Sequence, residues 1–161
     1  MRAARGPARG FTLIEVLVVV AIIVIVVGLV GVQLMRGPAD LVKEESEHLA
    51  LLLRAAREEA ILQGRVFAFS AARDSYRFLR LERGGKLKPT QGDDVLRPQR
   101  LPPGIVIEAL RIEGAGDATL DGVVFLPSGE LPTFRIVLKS GGARWSVIGA
   151  PDGSIRAQAA S

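Results

Sequence analysis

Glu15 is the residue whose position most demands a chemical explanation. It lies near the start of FTLIEVLVVVAIIVIVVGLVGVQLM (Phe11–Met35), a run with no polar side chain from Val16 to Val32 and no charge until Arg36. A carboxylate near the centre of a bilayer costs about 2.5–3.5 kcal/mol, so such a group ordinarily has a partner or a function. In a chain that starts at Met1, Glu15 sits near the interface, where the cost is smaller. In a chain that starts at Phe11, a new α-amino group appears four residues before Glu15. The two charges can then neutralise each other, within one helix or between neighbouring subunits.

Other chemistry is scarce. The chain has no cysteine, which excludes disulfides, thiolate metal sites and cysteine catalysis. His48 is the single histidine and falls among charges, without the second histidine or cysteine that a zinc site or a catalytic pair requires. Asp93–Asp94 and Asp117 with Asp121 sit in glycine-bearing loops, but their spacing fits no defined calcium loop, and solvated turn carboxylates are the default. No phosphate-binding loop, nucleophile elbow or paired-carboxylate site is present. The sequence therefore predicts no catalytic residues, no metal, no cofactor and no enzymatic activity.

The element that must position Glu15 is a helix. Phe11–Val32 would span roughly 33 Å at about 1.5 Å per residue, enough to cross a hydrocarbon core of about 30 Å. Val and Ile are mediocre helix formers in water, but in lipid a single segment must satisfy its backbone internally, and the helix does so. Arg2, Arg5 and Arg9 precede the run and none falls within it, which predicts a cytoplasmic N-terminus with the remainder outside. Removing residues 1–10 lowers the net charge from +4 to about +1 (4 − 3). The basic charge thus belongs to targeting, and no nucleic-acid partner is expected. A cleaved secretory signal fits poorly, because its apolar core is about 7–15 residues and Val32–Arg36 offers no small-residue cleavage site. Gly28 and Gly31, at i and i+3, are candidates for close helix packing.

Beyond Met35 the pattern changes. Arg36-Gly37-Pro38 marks the end of the span or a kink, with Asp40 a candidate cap for the next helix. From Leu41 to Gln63 the period is helical, with Val42, Leu49, Leu52, Leu53, Ala56 and Ala60 on one face. Lys43, Glu47, Arg54 and Glu58 lie opposite, and Gly64 is placed as a C-cap. Strands are expected at 65–70 and 76–82 as a hairpin, then at Ile105–Ile112, Val123–Leu126, Phe134–Leu138 and Arg144–Ile148, with a short end at Ile155. Residues 92–104 and 114–122 read as irregular, and Pro127–Glu130 as a turn. Trp145 and the phenylalanines alternate with polar residues and are assigned to the core. The architecture is α+β, a helix covering one face of an antiparallel sheet.

Gly10-Phe11-Thr12-Leu13-Ile14-Glu15, between a short basic leader and a long apolar helix, resembles the signal of type IV pilins and pseudopilins. That resemblance implies cleavage by a prepilin peptidase between Gly10 and Phe11, methylation of Phe11, and pairing of Glu15 with a neighbouring subunit's amino terminus to set its register. It further implies a leader at 1–10, a transmembrane and filament-core helix at 11–35, an amphipathic stalk at 36–64 and a periplasmic β-rich domain at 65–161. The order of elements, the amphipathic block Ser46–Phe69 and the F-L-P-S-G-E turn in Val123–Glu130 are similar to GspH-type minor pseudopilins of type II secretion systems. The implied role is assembly into a periplasmic pseudopilus that helps export folded proteins. Implied partners are the major and minor pseudopilins, the prepilin peptidase, the inner-membrane assembly platform, membrane lipid before assembly, and the secreted substrate. Two alternatives stay open: a minor pilin of a type IV pilus, including the DNA-uptake kind, and a signal-anchored periplasmic binding domain. The tail Gly153–Ser161 carries only Arg156 as a charge, so a basic DNA-binding tail is absent.

Overall fold

A computed structural model describes residues 12–34, 37–90, 95–114 and 122–160, with side chains in the first stretch as far as Val26. The chain divides into two compact units, Met1–Arg36 and Gly37–Ser161. The first contains helix α1, Leu13–Leu34, of 22 residues. Its large apolar side chains from Leu13 to Val26 are 48–85% exposed. Counted over residues with described side chains, no helix is long and apolar enough to cross a membrane. The part of α1 described in full ends at Val26, and its backbone continues to Leu34.

The second unit opens with α2, Pro38–Gln63. Proline suits the first helical position because its missing N–H would have had no helical partner there. Asp40 is not the N-cap expected from the sequence. It lies three residues into the helix, where its Oδ2 accepts from the Gly37 N–H at 3.3 Å. At the other end Gly64 adopts φ 62°, and the Gly64 and Arg65 N–H groups donate to the carbonyls of Ile61 (3.3 Å) and Ala60 (3.1 Å). This αL cap is the one glycine allows at little cost.

The buried face of α2 comprises Val42, Ser46, Leu49, Ala50, Leu52, Leu53, Ala56 and Ala60. Ser46 is tolerated there because its hydroxyl donates to the Val42 carbonyl at 2.7 Å.

Nine strands follow among the described residues: β1 Phe67–Ala71, β2 Ser75–Leu81, β3 Leu87–Pro89, β4 Gln99–Arg100, β5 Ile105–Ile112, β6 Gly122–Phe125, β7 Phe134–Ser140, β8 Ala143–Gly149 and β9 Ile155–Ala159. They form two antiparallel sheets. The first runs β3-β2-β1-β6 with β4 also on β2, and the second runs β5-β7-β8-β9. The expected single sheet is therefore two. Pro127–Glu130 closes no hairpin; it carries the chain from β6, paired with β1, to β7, paired with β5 and β8. The stretch 92–104, read as irregular, contributes β4, and the short end at Ile155 extends to a full strand.

Helix α2 covers β7, β8 and β9 and also meets β1 and β6, so both sheets share one core. Phe67, Phe69, Phe78, Phe125 and Phe134 are fully buried in it with Leu49, Leu53, Ile136, Leu138 and Val147. Phe69 and Phe78 pack with ring centroids 5.5 Å apart, and Tyr76 meets Phe78 edge-on at 6.2 Å. Trp145 sits at the rim rather than in the core, half-buried, with the Lys43 ammonium 5.8 Å from its ring.

Candidate processing and assembly site

Gly10 and Phe11 lie outside the described residues. The structure resolves the step that follows them. Thr12 precedes α1, and its carbonyl accepts from the Glu15 and Val16 N–H groups at 3.1 and 3.3 Å. Its hydroxyl also lies 3.4 Å from the Glu15 nitrogen. Thr12 is thus the N-cap, and Glu15 is the third helical residue, the T-x-x-E spacing of a helix start. A carboxylate here also faces the positive end of the helix dipole. Glu15 is exposed, so its side chain is free to meet a positive group outside its own helix. Gly28 and Gly31 lie in the part of α1 described by backbone alone.

The other described titratable groups lie in separate places. His48 is exposed with Nδ1 3.9 Å from Glu45 Oε1, and the Tyr76 hydroxyl donates to the same oxygen at 3.3 Å. Burial raises the Glu45 carboxyl, against the opposing effects of His48 and Tyr76. Among the described residues no three metal-ligating groups come together. Asp93, Asp94, Asp117 and Asp121 fall outside those residues.

Two polar arrangements escaped the sequence reading. Glu108, at a register shift in β5, accepts from Arg144 Nε at 2.7 Å, Arg144 Nη2 at 3.1 Å and Lys139 Nζ at 3.3 Å. The Arg144 bonds and then Lys139 hold its carboxyl down to about 2. In addition, Arg54 Nε donates to the Ile155 carbonyl at 2.7 Å and Arg57 Nε to the Gly129 carbonyl at 2.9 Å. The helix period places Arg54 on the face opposite the apolar one and gives Arg57 no role. Nothing in the local sequence shows which distant carbonyls they reach.

Comparison with known proteins decides the family. Residues 45–153 match the family described as Type II transport protein GspH, and residues 5–31 match the Prokaryotic N-terminal methylation motif. The chain belongs to the GspH family. It is 30% identical to the Type II secretion system protein H of Pseudomonas aeruginosa over 148 residues, covering 84% of this chain and 85% of that protein. The crystal structure of the minor pseudopilin EPSH from the type II secretion system of Vibrio cholerae superposes with a TM-score of 0.66 at 21% identity, over 78% of this chain and 98% of that one. The type IV minor pilin FimU of Pseudomonas aeruginosa gives 0.51 at 16% identity, over 73% and 87%. The two likenesses at low identity show a shared pilin-like fold. This GspH-family chain is a minor pseudopilin of type II secretion, a structural component of secretion machinery. It is a membrane-anchored periplasmic protein of a class that associates with other pseudopilins.

Proposed function

We propose that this pseudopilin is made as a precursor with leader 1–10, is cut by prepilin peptidase between Gly10 and Phe11, and is methylated on Phe11. The match of residues 5–31 to the N-terminal methylation motif carries this reading, because it brackets Gly10, Phe11 and Glu15. Before assembly, residues 11–35 hold the chain in the inner membrane with the N-terminus cytoplasmic and the domain periplasmic. Extraction into a filament exchanges lipid for neighbouring apolar helices. Glu15, exposed in the first turn of α1, then pairs with the amino terminus of an adjacent subunit and fixes the axial register. Gly28 and Gly31 allow close approach of helices in that core. Residues 36–64 form the stalk and 65–161 the periplasmic domain. The protein acts by assembly with the major and minor pseudopilins on the inner-membrane platform, near the secreted substrate, and catalyses no reaction.

Intact-mass spectrometry of the membrane-extracted protein tests the processing. A chain beginning at Phe11 with one added methyl group is expected. A chain still beginning at Met1, in cells with active peptidase, defeats the proposal in favour of a simple signal anchor. Glu15→Ala is expected to be cut normally but to lose incorporation into the filament; full incorporation removes Glu15 from the register-setting role.

A further inference from the structure

The carboxyl-terminal half of α2 and the β8–β9 turn enclose an open groove of about 350 Å³ on the periplasmic domain. Arg54, Arg57 and Arg156 line it together with one carboxylate, Glu58. Two of the three guanidiniums are fixed. Arg54 is held through Nε by the Ile155 carbonyl, and Arg57 through Nε by the Gly129 carbonyl.

Arg57 is also slotted between two glycines. A β-carbon on Gly153 would meet its Nη2 at 2.4 Å and its Cζ at 2.7 Å, and one on Gly129 would meet Nη2 at 3.2 Å. Gly129 and Gly153 both have positive φ, 80° and 84°, so their turns favour glycine and leave the slot open. Among the described residues, none of the three arginines has a carboxylate within 4.0 Å. The described ion pairs join Lys43, His48, Arg80, Lys139 and Arg144 to other groups. The nearby Asp152 is held first by Ser154, whose N–H donates to it at 2.8 Å, and more weakly by the charge of Arg156.

Holding a guanidinium by Nε leaves the Nη edge for bidentate recognition of a carboxylate, and the ordering cost is already met. From this geometry we infer that the groove is a docking site for an acidic side-chain pair on a neighbouring pilin-like subunit. The inference rests on the assembly role proposed above and adds a contact on the domain that is separate from the helical filament core. A protein carboxylate fits better than a small free anion. The three cations lie along an open groove rather than around a closed cradle, and a partner surface would bury them together.

The test uses the full-length protein in cells that make the complete set of pseudopilins. The Arg156 side chain is exposed and makes no hydrogen bond among the described residues, while its backbone stays in the β8–β9 ladder, so Arg156→Glu leaves the domain's own hydrogen bonds in place. Arg156→Glu is expected to lower the yield of crosslinked neighbouring pseudopilin about fivefold to tenfold, Arg156→Lys far less, with Phe11 processing unchanged. In parallel, the detergent-solubilised full chain is titrated with hexaglutamate and with inorganic phosphate. Salt-sensitive hexaglutamate binding that Arg156→Glu and Arg54→Glu both abolish supports the site. Unchanged crosslinking in both variants overturns it, as does binding of phosphate without hexaglutamate, which would mark a small-anion site. If the wild-type chain is uncut and crosslinks to no pseudopilin, the assembly reading itself fails and takes this contact with it.

Discussion

Gly149→Ala is expected to destabilise the unit Gly37–Ser161 by about 3 kcal/mol, although it adds a single methyl group. Gly149 lies directly opposite Phe134 in the β7–β8 ladder. A β-carbon there would stand 2.0 Å from Phe134 Cε1, 2.5 Å from Cζ and 2.6 Å from Cδ1. Phe134 is only 1% exposed, so its ring has no solvent to move into. Reaching ordinary contact at roughly 3.5 Å requires a ring shift of about 1.5 Å. Overpacking of a dense core costs about 1–3 kcal/mol, and an off-rotamer ring adds about 0.5–1.5 kcal/mol. For the unit Gly37–Ser161, 3 kcal/mol corresponds to a fall in Tm of about 10 °C. The assay is thermal unfolding of the detergent-solubilised chain, followed by fluorescence of the single tryptophan, Trp145. Gly142→Ala is the control, since a β-carbon there meets nothing within 4 Å. The double variant Gly149→Ala with Phe134→Leu should recover at least about 1 kcal/mol of the additive loss. A Gly149→Ala Tm within about 3 °C of wild type, or strict additivity with Phe134→Leu, would refute the steric account.

Two further perturbations probe polar contacts by the same melt. Arg57→Met keeps the aliphatic stem but removes the bond to the Gly129 carbonyl, so a loss of about 1 kcal/mol is expected; an unchanged melt would mean that bond contributes nothing. Glu108 has a folded pKa of about 2, below its ordinary value of 4.5. A depressed carboxylate stabilises fully above the unfolded pKa and loses that contribution as pH falls toward the folded one. Wild type should therefore exceed Glu108→Gln in Tm above about pH 4.5, with the difference shrinking to nothing near pH 2. A constant difference over that range counts against the Arg144–Glu108–Lys139 cluster.

What the sequence revealed divides along the range of the interactions concerned. The buried face of α2 and its Gly64 cap were legible because helix period and capping are local. The β1–β2 hairpin was legible for the same reason, although β1 buries Phe67, Ala68 and Phe69 in succession instead of alternating. The division into two sheets was not legible. It depends on β1 choosing β6 as a neighbour, a pairing of Phe67 with Phe125 that no short window contains. Strands β3 and β4 are three and two residues long, too short to carry a pattern. The same contrast separates the two proposed sites. Gly10, Phe11 and Glu15 form a linear motif, complete within six residues. The arginine groove joins Arg54 to Ile155 across 101 positions and appears only once the chain has folded.

The two units of this pseudopilin have opposite relations to solvent, and that difference bears on its biology. In the second unit the large aromatic side chains lie in a closed core, with Phe67, Phe69, Phe78, Phe125 and Phe134 at 1% exposure or less. In α1, twelve large aliphatic side chains between Leu13 and Val26 remain about half exposed or more. Burying the rest of each is worth about 1 kcal/mol, or about 10 kcal/mol in all. That sum is comparable to the entire net stability of an ordinary domain, about 5–15 kcal/mol. A helix with such a surface has no stable existence alone in water. Either lipid or other apolar helices must cover it, and apolar cover alone fixes no register, because Val and Ile repeat along the helix with little to distinguish one turn from the next. Within the described part of α1, Glu15 is the single charged group, and it stands exposed in the first turn. A partner that neutralises it would gain most at one axial position, which is the physical ground for the register-setting role proposed for Glu15.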